Sequence, residues 1–515
     1  MKPSTLPLTI SLGLVGLLAC GDSASPAADP SGDGGPPDAR IVIDAAPPPP
    51  DPDASSKDAG PKPQGKLLSA GEIEIQSTLI DGTIIFLRYG STISLEAIAP
   101  AGGTPTVIAP DLVLAGEATD DVISVIGGVV GLWTGVDADT GLGKLSVWSR
   151  ANGLKEAAAA SPVYEVDSSG DGARVAFVRS VGAERQLVTS PSTLAAGSVV
   201  IVQDALGDGS DANPCAAFYT FVGQSLFTST CTGAAITATA RRTLPTGVSL
   251  IIDTGLAPSF LSINGAGDKA FSAKRIASTG TGGAAAVYSI GATLVSELPI
   301  EAAGVAEGSI ATDGSSVLYR TRLGALKRAN TAAPIAATVL VPDGGMMGIL
   351  ATSADRKGVL SHKLAPGGDL GSLHDLQLSS GTVPGAPTSL VPAATALELG
   401  FTLASKYVLW VPDPSVATSL KAKPVAGGAD VDLGAVAVFL GKIDGSDKII
   451  VGVNEREITV GGQPVDVVDF KLVDPATNTG TPLAVGVQIG ALVMPGGKQL
   501  AYTEAGKGLY ILDVP

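Results

Sequence analysis

This sequence predicts an all-β chain assembled from repeated four-stranded units, and three observations carry that prediction. A polar turn followed by an apolar strand, ending on an aromatic or bulky residue, recurs about every 46 residues from Asp81 to near the C-terminus. The 515 residues include 66 Gly and 36 Pro, with only 16% charged and 4% aromatic residues, a usage that suits many short strands joined by turns. The 45% apolar content can build a large core, provided Val, Ile, Leu and Ala line it.

The founding copy of the repeat is Ser169-Gly170-Asp171-Gly172-Ala173-Arg174-Val175-Ala176-Phe177. Other clear copies turn at Asp81-Gly82, Gly267-Asp268 and Asp313-Gly314, and close seconds at Asp444-Gly445 and Gly496-Gly497. Weaker ones lie near Gly128, Gly223, Asp355-Arg356 and Ser405-Lys406, which makes ten. The residue types have a reason: Asp bonds back to its own backbone, and Gly takes positive φ without steric cost. The third unit reads as four strands, 163–166, 175–178, 186–189 and 199–202, and a unit of that length matches a propeller blade. The predicted fold is therefore a β-propeller of about eight to ten four-stranded blades. The aromatic residue ending each second strand is expected to pack between neighbouring sheets. The last unit is one strand short, and Leu67–Ile75 is free to supply it.

This figure resembles the repeats of TolB-like, WD40-like β-propellers, whose units carry a Ser/Thr-x-Asp-Gly turn before a strand ending in Phe or Tyr. The pattern runs from Glu72 to Pro515 and is sharp in about half the units. The Trp-Asp and Gly-His signatures of true WD40 repeats are missing. The resemblance implies the propeller architecture, and TolB's partners do not carry over.

Upstream, the chain changes character. Lys2 precedes an apolar stretch from Leu6 to Ala19, too short for a stable bilayer span. It ends in Leu17-Leu18-Ala19-Cys20, which resembles the lipobox of a bacterial lipoprotein signal peptide. That resemblance implies a signal over residues 1–19, cleavage before Cys20, and lipidation of the Cys20 thiol. It also implies an anchored position in the envelope of a Gram-negative bacterium, in the periplasm or on the outer surface. Residues 20–66 form a lipidated Cys and a linker holding 11 of the 36 prolines, with eight Asp against four basic residues. Such a segment has too little apolar content to bury and is expected to act as a disordered tether. The propeller domain then occupies residues 67–515.

Three cysteines are present, so a lipidated Cys20 leaves Cys215 and Cys231 as a pair. Both lie eight residues from Gly223, where a hairpin turn is expected. Two readings stand: a disulfide across that hairpin, or two small core residues. Asp208, Ser210, Asp211 and Asn213 supply oxygens at short spacing, which a Ca2+ ion or a solvated turn would use equally. Asp137-Ala138-Asp139-Thr140-Gly141 opens like a calcium loop but lacks the closing Glu. His362 and His374 are the only histidines, and a Ser361-His362-Asp375 constellation can be written without any nucleophile elbow around it. No other cofactor is expected. The domain from Leu67 carries about −13 of the net −16, which argues against nucleic acid and against anionic lipid on the domain face.

These features lead to three expectations of function. The first is a lipid-anchored platform whose propeller binds an envelope protein or surface polymer, without catalysis and touching the membrane through its lipid alone. The second is a propeller hydrolase or lyase using convergent carboxylates. The third is a structural surface or exopolymer-contact protein.

Overall fold

The computed structural model describes residues 65–114, 121–181, 184–195, 200–203, 218–231, 238–274, 283–302, 304–333, 336–342, 346–364, 374–394, 397–412, 419–460, 462–488, 490–504 and 506–515. Among them there are 39 strands and no helix, so no helix is long and apolar enough to cross a membrane. The strands form nine antiparallel sheets, eight of four strands and one of seven. In seven of the four-stranded sheets the spatial order is the chain order, the meander that short turns between antiparallel strands produce. These are the blades of a β-propeller, and the third matches three of its expected strands, at Arg174–Val181, Glu184–Pro191 and Val200–Gln203, while its first is Val166–Ser168 and the expected residues 163 and 164 form the turn before it.

The chain divides into two compact units, residues 113–394 and residues 1–112 with 395–515. In the first unit the seven-stranded sheet departs from the expected pattern. Two repeats were expected there as separate blades, yet one strand, Ser249–Ile263, serves both. Leu256 pairs with Ala238 on one side and Lys274 on the other, so the strand closes the fourth blade and opens the fifth. Six blades follow in this unit, over residues 122–162, 166–203, 218–256, 256–301, 305–341 and 346–394. First strands touch first strands: Val166–Ser168 contacts both Val122–Ile126 and Phe218–Val222.

In the second unit the closing strand also corrects the expectation. Leu67–Ile75 is not one strand. Lys66–Ala70 pairs with Gly508–Asp513 to complete the last blade, and Glu72–Thr78 begins the first. Gly71, at φ 113°, makes the break and donates its N–H to Lys507 O at 3.2 Å. Arg88 secures the junction, with Nε 2.8 Å from Glu96 Oε1, Nη1 2.6 Å from Ala70 O and Nη2 2.7 Å from Ser69 Oγ.

Apolar contact between sheets holds successive blades together. Trp133 and Val129 of one blade pack with Val175 and Phe177 of the next. The same arrangement joins Phe271 to Tyr319, with ring centroids 6.1 Å apart, and Phe470 to Tyr502. Phe86, Trp133, Phe227, Phe271, Tyr319, Trp410 and Tyr502 are all buried on a second strand, but those strands run on past them, so the aromatic residue sits within the strand and not at its end as the sequence predicts. Each such ring contributes on the order of 2–3 kcal/mol by burial.

Candidate binding groove

The repeat turns were the first candidates, and they prove to be joints. In the founding turn Gly172 N donates to Ser169 O at 2.8 Å, and Ser169 N to Arg174 O at 3.0 Å. Asp171 Oδ1 receives Ser169 Oγ at 2.7 Å and Ala173 N at 3.1 Å. The hydrogen bond from Ser169 holds the Asp171 carboxyl below the usual carboxylate range. Asp81 and Asp313 accept Thr83 N and Ser315 N in the same way, both at 2.9 Å. Gly82, Gly172 and Gly314 all take positive φ, at 81°, 66° and 69°. Asp268 lies two positions later in its turn, after Gly267, and Asn264 takes over the acceptor role, receiving Asp268 N and Lys269 N.

Neighbouring turns lock onto each other. Gln224 donates to Asp171, Gly265 N to Thr312 O at 2.8 Å, and Lys269 Nζ to Gly314 O at 3.0 Å. Ala404 N reaches Ser446 O at 2.9 Å and Thr402 Oγ1 reaches Asp447 at 2.6 Å. Their polar atoms are committed to blade-to-blade contact.

Of the other expected sites, Cys20, Cys215, Asp208, Ser210, Asp211 and Asn213 lie outside the described residues, as does the Cys231 side chain. The hairpin itself is present as Phe218–Val222 and Ser225–Cys231, with Gly223 at φ 59°. Val222 pairs with Ser225, so its symmetry point falls between Gly223 and Gln224 and not on Gly223. Asp137 accepts Thr140 N at 2.8 Å, Thr140 Oγ1 at 2.9 Å and Asp139 N at 3.1 Å, a self-contained turn. No group of three metal-ligating residues occurs among the described residues. Ser361 and His362 are successive residues of the strand Gly358–Leu364, so they face opposite sides of the sheet. Ser361 is fully buried, and the written constellation does not assemble.

Carboxylates and tyrosines that sequence reading passed over do come together. Tyr288 and Lys274 both donate to Asp253, and burial raises the Tyr288 phenol first, with Asp253 adding to it. In the next blade Tyr319 OH donates to Glu301 at 3.1 Å and Lys327 Nζ at 2.7 Å. In both cases an outer-strand carboxylate of one blade is clasped by a Tyr and a Lys of the following blade. Asp167 sits on a first strand and accepts Phe221 N of the adjoining blade at 3.3 Å. Burial raises its carboxyl, so its stability contribution is present at low pH and is lost as pH rises through the raised pKa. Arg185, bonded to Glu165, and Tyr219, itself raised by burial, stand beside it. No sequence pattern marks these residues, because their spacing depends on which blades meet.

Concave surface lies elsewhere in the same unit, along the blade of residues 305–341. One hollow of about 440 Å3 is lined by Glu301, Thr321, Arg322, Leu323, Lys327, Val339 and Pro342, among others. A second of about 520 Å3 shares Val339 and Pro342 and adds Lys363, Gln377 and the turn Pro384-Gly385-Ala386-Pro387. Leu323 is 72% exposed and Val339 44%, so apolar surface is open to solvent here. Gly385 N donates to Leu340 O at 3.0 Å and fixes the turn over the last strand of its blade, Ala337–Val341. An apolar floor with a few oriented polar groups is what binding sites share.

No protein-family model matches the chain, and no curated protein sequence matches it. Solved structures to which it is similar include prolyl oligopeptidase B from Galerina marginata, at 9% identity over 79% of this chain and 56% of that one, TM-score 0.36. TolB from Acinetobacter baumannii is 13% identical over 52% of this chain and 63% of that one, TM-score 0.23. An uncharacterised protein from Listeria monocytogenes is 10% identical over 72% and 97%, TM-score 0.33. The chain spans about half the length of the prolyl oligopeptidase. The blade assignment rests on the strand pairing of this chain itself.

Proposed function

We propose that this protein is a lipid-anchored envelope platform whose propeller binds a protein or surface polymer, in the periplasm or on the outer surface of a Gram-negative cell. The observation that carries the reading is the two-part groove along residues 305–341, which is concave, partly apolar and rimmed by Arg322, Lys327 and Lys363. The anchor rests on Leu17-Leu18-Ala19-Cys20, and the Pro- and Asp-rich residues after it would hold the blades away from the bilayer. The test compares the intact chain with Cys20→Ala for incorporation of labelled fatty acid and for cross-linked recovery from cell envelopes. The intact chain should incorporate lipid and retain a defined partner. A chain that is never lipidated, or that turns over a glycan or ester while retaining nothing, would sink the proposal. An enzyme reading has one observation in its favour, the raised Asp167 carboxyl beside Glu165 and Tyr219. Such perturbed groups cluster at catalytic sites, and structural networks produce them as well.

A further inference from the structure

Two arginines cross the joint between the blades of residues 305–341 and 346–394, in opposite directions. Arg328 donates forward, from Nη1 to Gly381 O at 3.2 Å, and within its own blade from Nη2 to Ser316 Oγ at 3.2 Å. Arg356 donates back, from Nη2 to Ser309 O and Oγ at 2.9 and 2.6 Å. Gly381 N donates to Lys357 O at 2.9 Å, which ties the residue that Arg328 reaches to the neighbour of Arg356. Elsewhere in this unit a crossing cation meets a carboxylate, as Lys274 meets Asp253 and Lys327 meets Glu301. Here every acceptor is a neutral carbonyl or hydroxyl, and neither guanidinium forms an ion pair among the described residues. Burial lowers the Arg356 guanidinium first, and the charge of Arg328 presses it further in the same direction. Asp313 acts against that pressure, but it is exposed and its Oδ1 already accepts Ser315 N at 2.9 Å. Lys357 is exposed and paired with Asp355 at 3.4 Å. A guanidinium carries five N–H groups, so with two bonds made each of these has three left. Both side chains are half-buried, so solvent and small solutes reach them. Arg356 also keeps its place at φ 56°, where the matching turn of residues 169–174 uses Gly172. Left-handed strain at a residue with a side chain concentrates at functional sites.

We propose that Arg328 and Arg356 together bind one tetrahedral oxyanion, a sulfate or phosphate group. Two cations brought side by side without a carboxylate between them call for an anion of more than one charge, and a divalent oxyanion answers both. Guanidinium groups suit it because their planar donor array matches the spacing of its oxygens. A carboxylate has two oxygens and is filled by one guanidinium, whereas a sulfate or phosphate group has three or four to share between donors from two blades. Bound there, it would offset the repulsion between the arginines and fasten the two blades to each other. The site lies outside the groove, whose lining includes neither arginine, and it does not rest on the platform reading.

The experiment titrates the full-length chain by calorimetry, at fixed ionic strength, with sodium sulfate, sodium phosphate, dextran sulfate and neutral dextran. The sulfate and phosphate probes should bind saturably and neutral dextran should not. Arg328→Gln and Arg356→Gly should each weaken binding by about tenfold or more, the loss expected when charge-assisted hydrogen bonds are removed. Arg356→Lys keeps the charge without the planar donor array and should fall in between. Lys144→Gln, at an exposed ion pair in another blade, should leave binding unchanged. Thermal melting without the anion shows that each variant still folds. Dextran sulfate binding more tightly than free sulfate, and losing its hold in the same variants, would assign the group to a polymer, and the reverse order would assign it to a soluble anion. No saturable binding of any sulfate or phosphate probe, binding that persists in both arginine variants, or an equal loss in Lys144→Gln would overturn the site. None of those results bears on the envelope cross-linking above, so the two readings fail separately.

Discussion

Two turns in the same unit, at 169–174 and 353–358, share a hydrogen-bond frame and differ in the residue at its tightest point. Gly172 N reaches Ser169 O at 2.8 Å, and Arg356 N reaches Ser353 O at 2.9 Å. Ser169 and Ser353 each donate to the following Asp at 2.7 Å. Both accept the N–H that closes the turn, at 3.0 Å from Arg174 and 2.8 Å from Gly358. The fourth position is left-handed in each, at φ 66° for Gly172 and 56° for Arg356. Backbone conformation alone therefore does not demand glycine. The neighbouring blade makes the difference: a Cβ on Gly172 would lie 2.5 Å from Gly128 O, whereas Arg356 extends outward to Ser309 O and Oγ at 2.9 and 2.6 Å. One turn is closed by approach of backbone to backbone, the other by a side chain reaching across.

The largest expected effect breaks the first kind of joint. Gly172→Ala adds both a left-handed strain and a backbone clash that no rotamer can relieve, so it should cost roughly 3 kcal/mol or more. The urea midpoint measures this, and Gly128→Ala should match it, since a Cβ there would sit 2.4 Å from Gly172 N. Little change in either variant would show that the blades separate freely at this point.

Next in size is the shared frame. Ser169→Ala and Ser353→Ala each remove a buried hydroxyl that both donates and accepts, and each should cost about 1–2 kcal/mol. The two values should agree within experimental error on thermal melting. A large inequality would mean that the turns are equivalent in geometry only.

The smallest effect is expected at Arg356→Gly. Glycine relieves about 1 kcal/mol of left-handed strain while the bonds to Ser309 are lost, so the net change should stay within about 1 kcal/mol of zero. Burial already pulls the Arg356 guanidinium down to about 10, and Arg328 adds to that, which shows that holding this charge here is not free. A loss well beyond that range would make the cross-blade arginine the stronger of the two joints.

Much of the fold was legible because the repeat is local chemistry. Asp bonding to the N–H two residues on, Gly at positive φ, and a strand that buries an aromatic residue are set by residues within a dozen positions of each other. Such features survive in any context, and they located all ten repeats and three of the four strands of the third, the first being found at Val166–Ser168 just beyond its expected place. The sharing of Ser249–Ile263 between two blades was not legible, since a 15-residue apolar strand reads the same whether one sheet or two use it. The groove was invisible for a similar reason. Leu323, Val339, Lys363 and Pro384 are unremarkable singly and become a site only when two blades set their edges together.

The sequence by itself determined the blade: its length, its turns, its buried aromatic positions, and a separate N-terminal segment of different composition. Tertiary structure alone decided what the blades do to one another. Which carboxylate Tyr288 and Tyr319 clasp, which glycine must stay a glycine, and where Ser361 and Ser379 find no hydrogen-bond partner among the described residues all depend on contacts between residues tens of positions apart. Those contacts are fixed by the packing of sheet on sheet, whose free energy is non-directional and proportional to area, and so leaves no periodic mark in the chain.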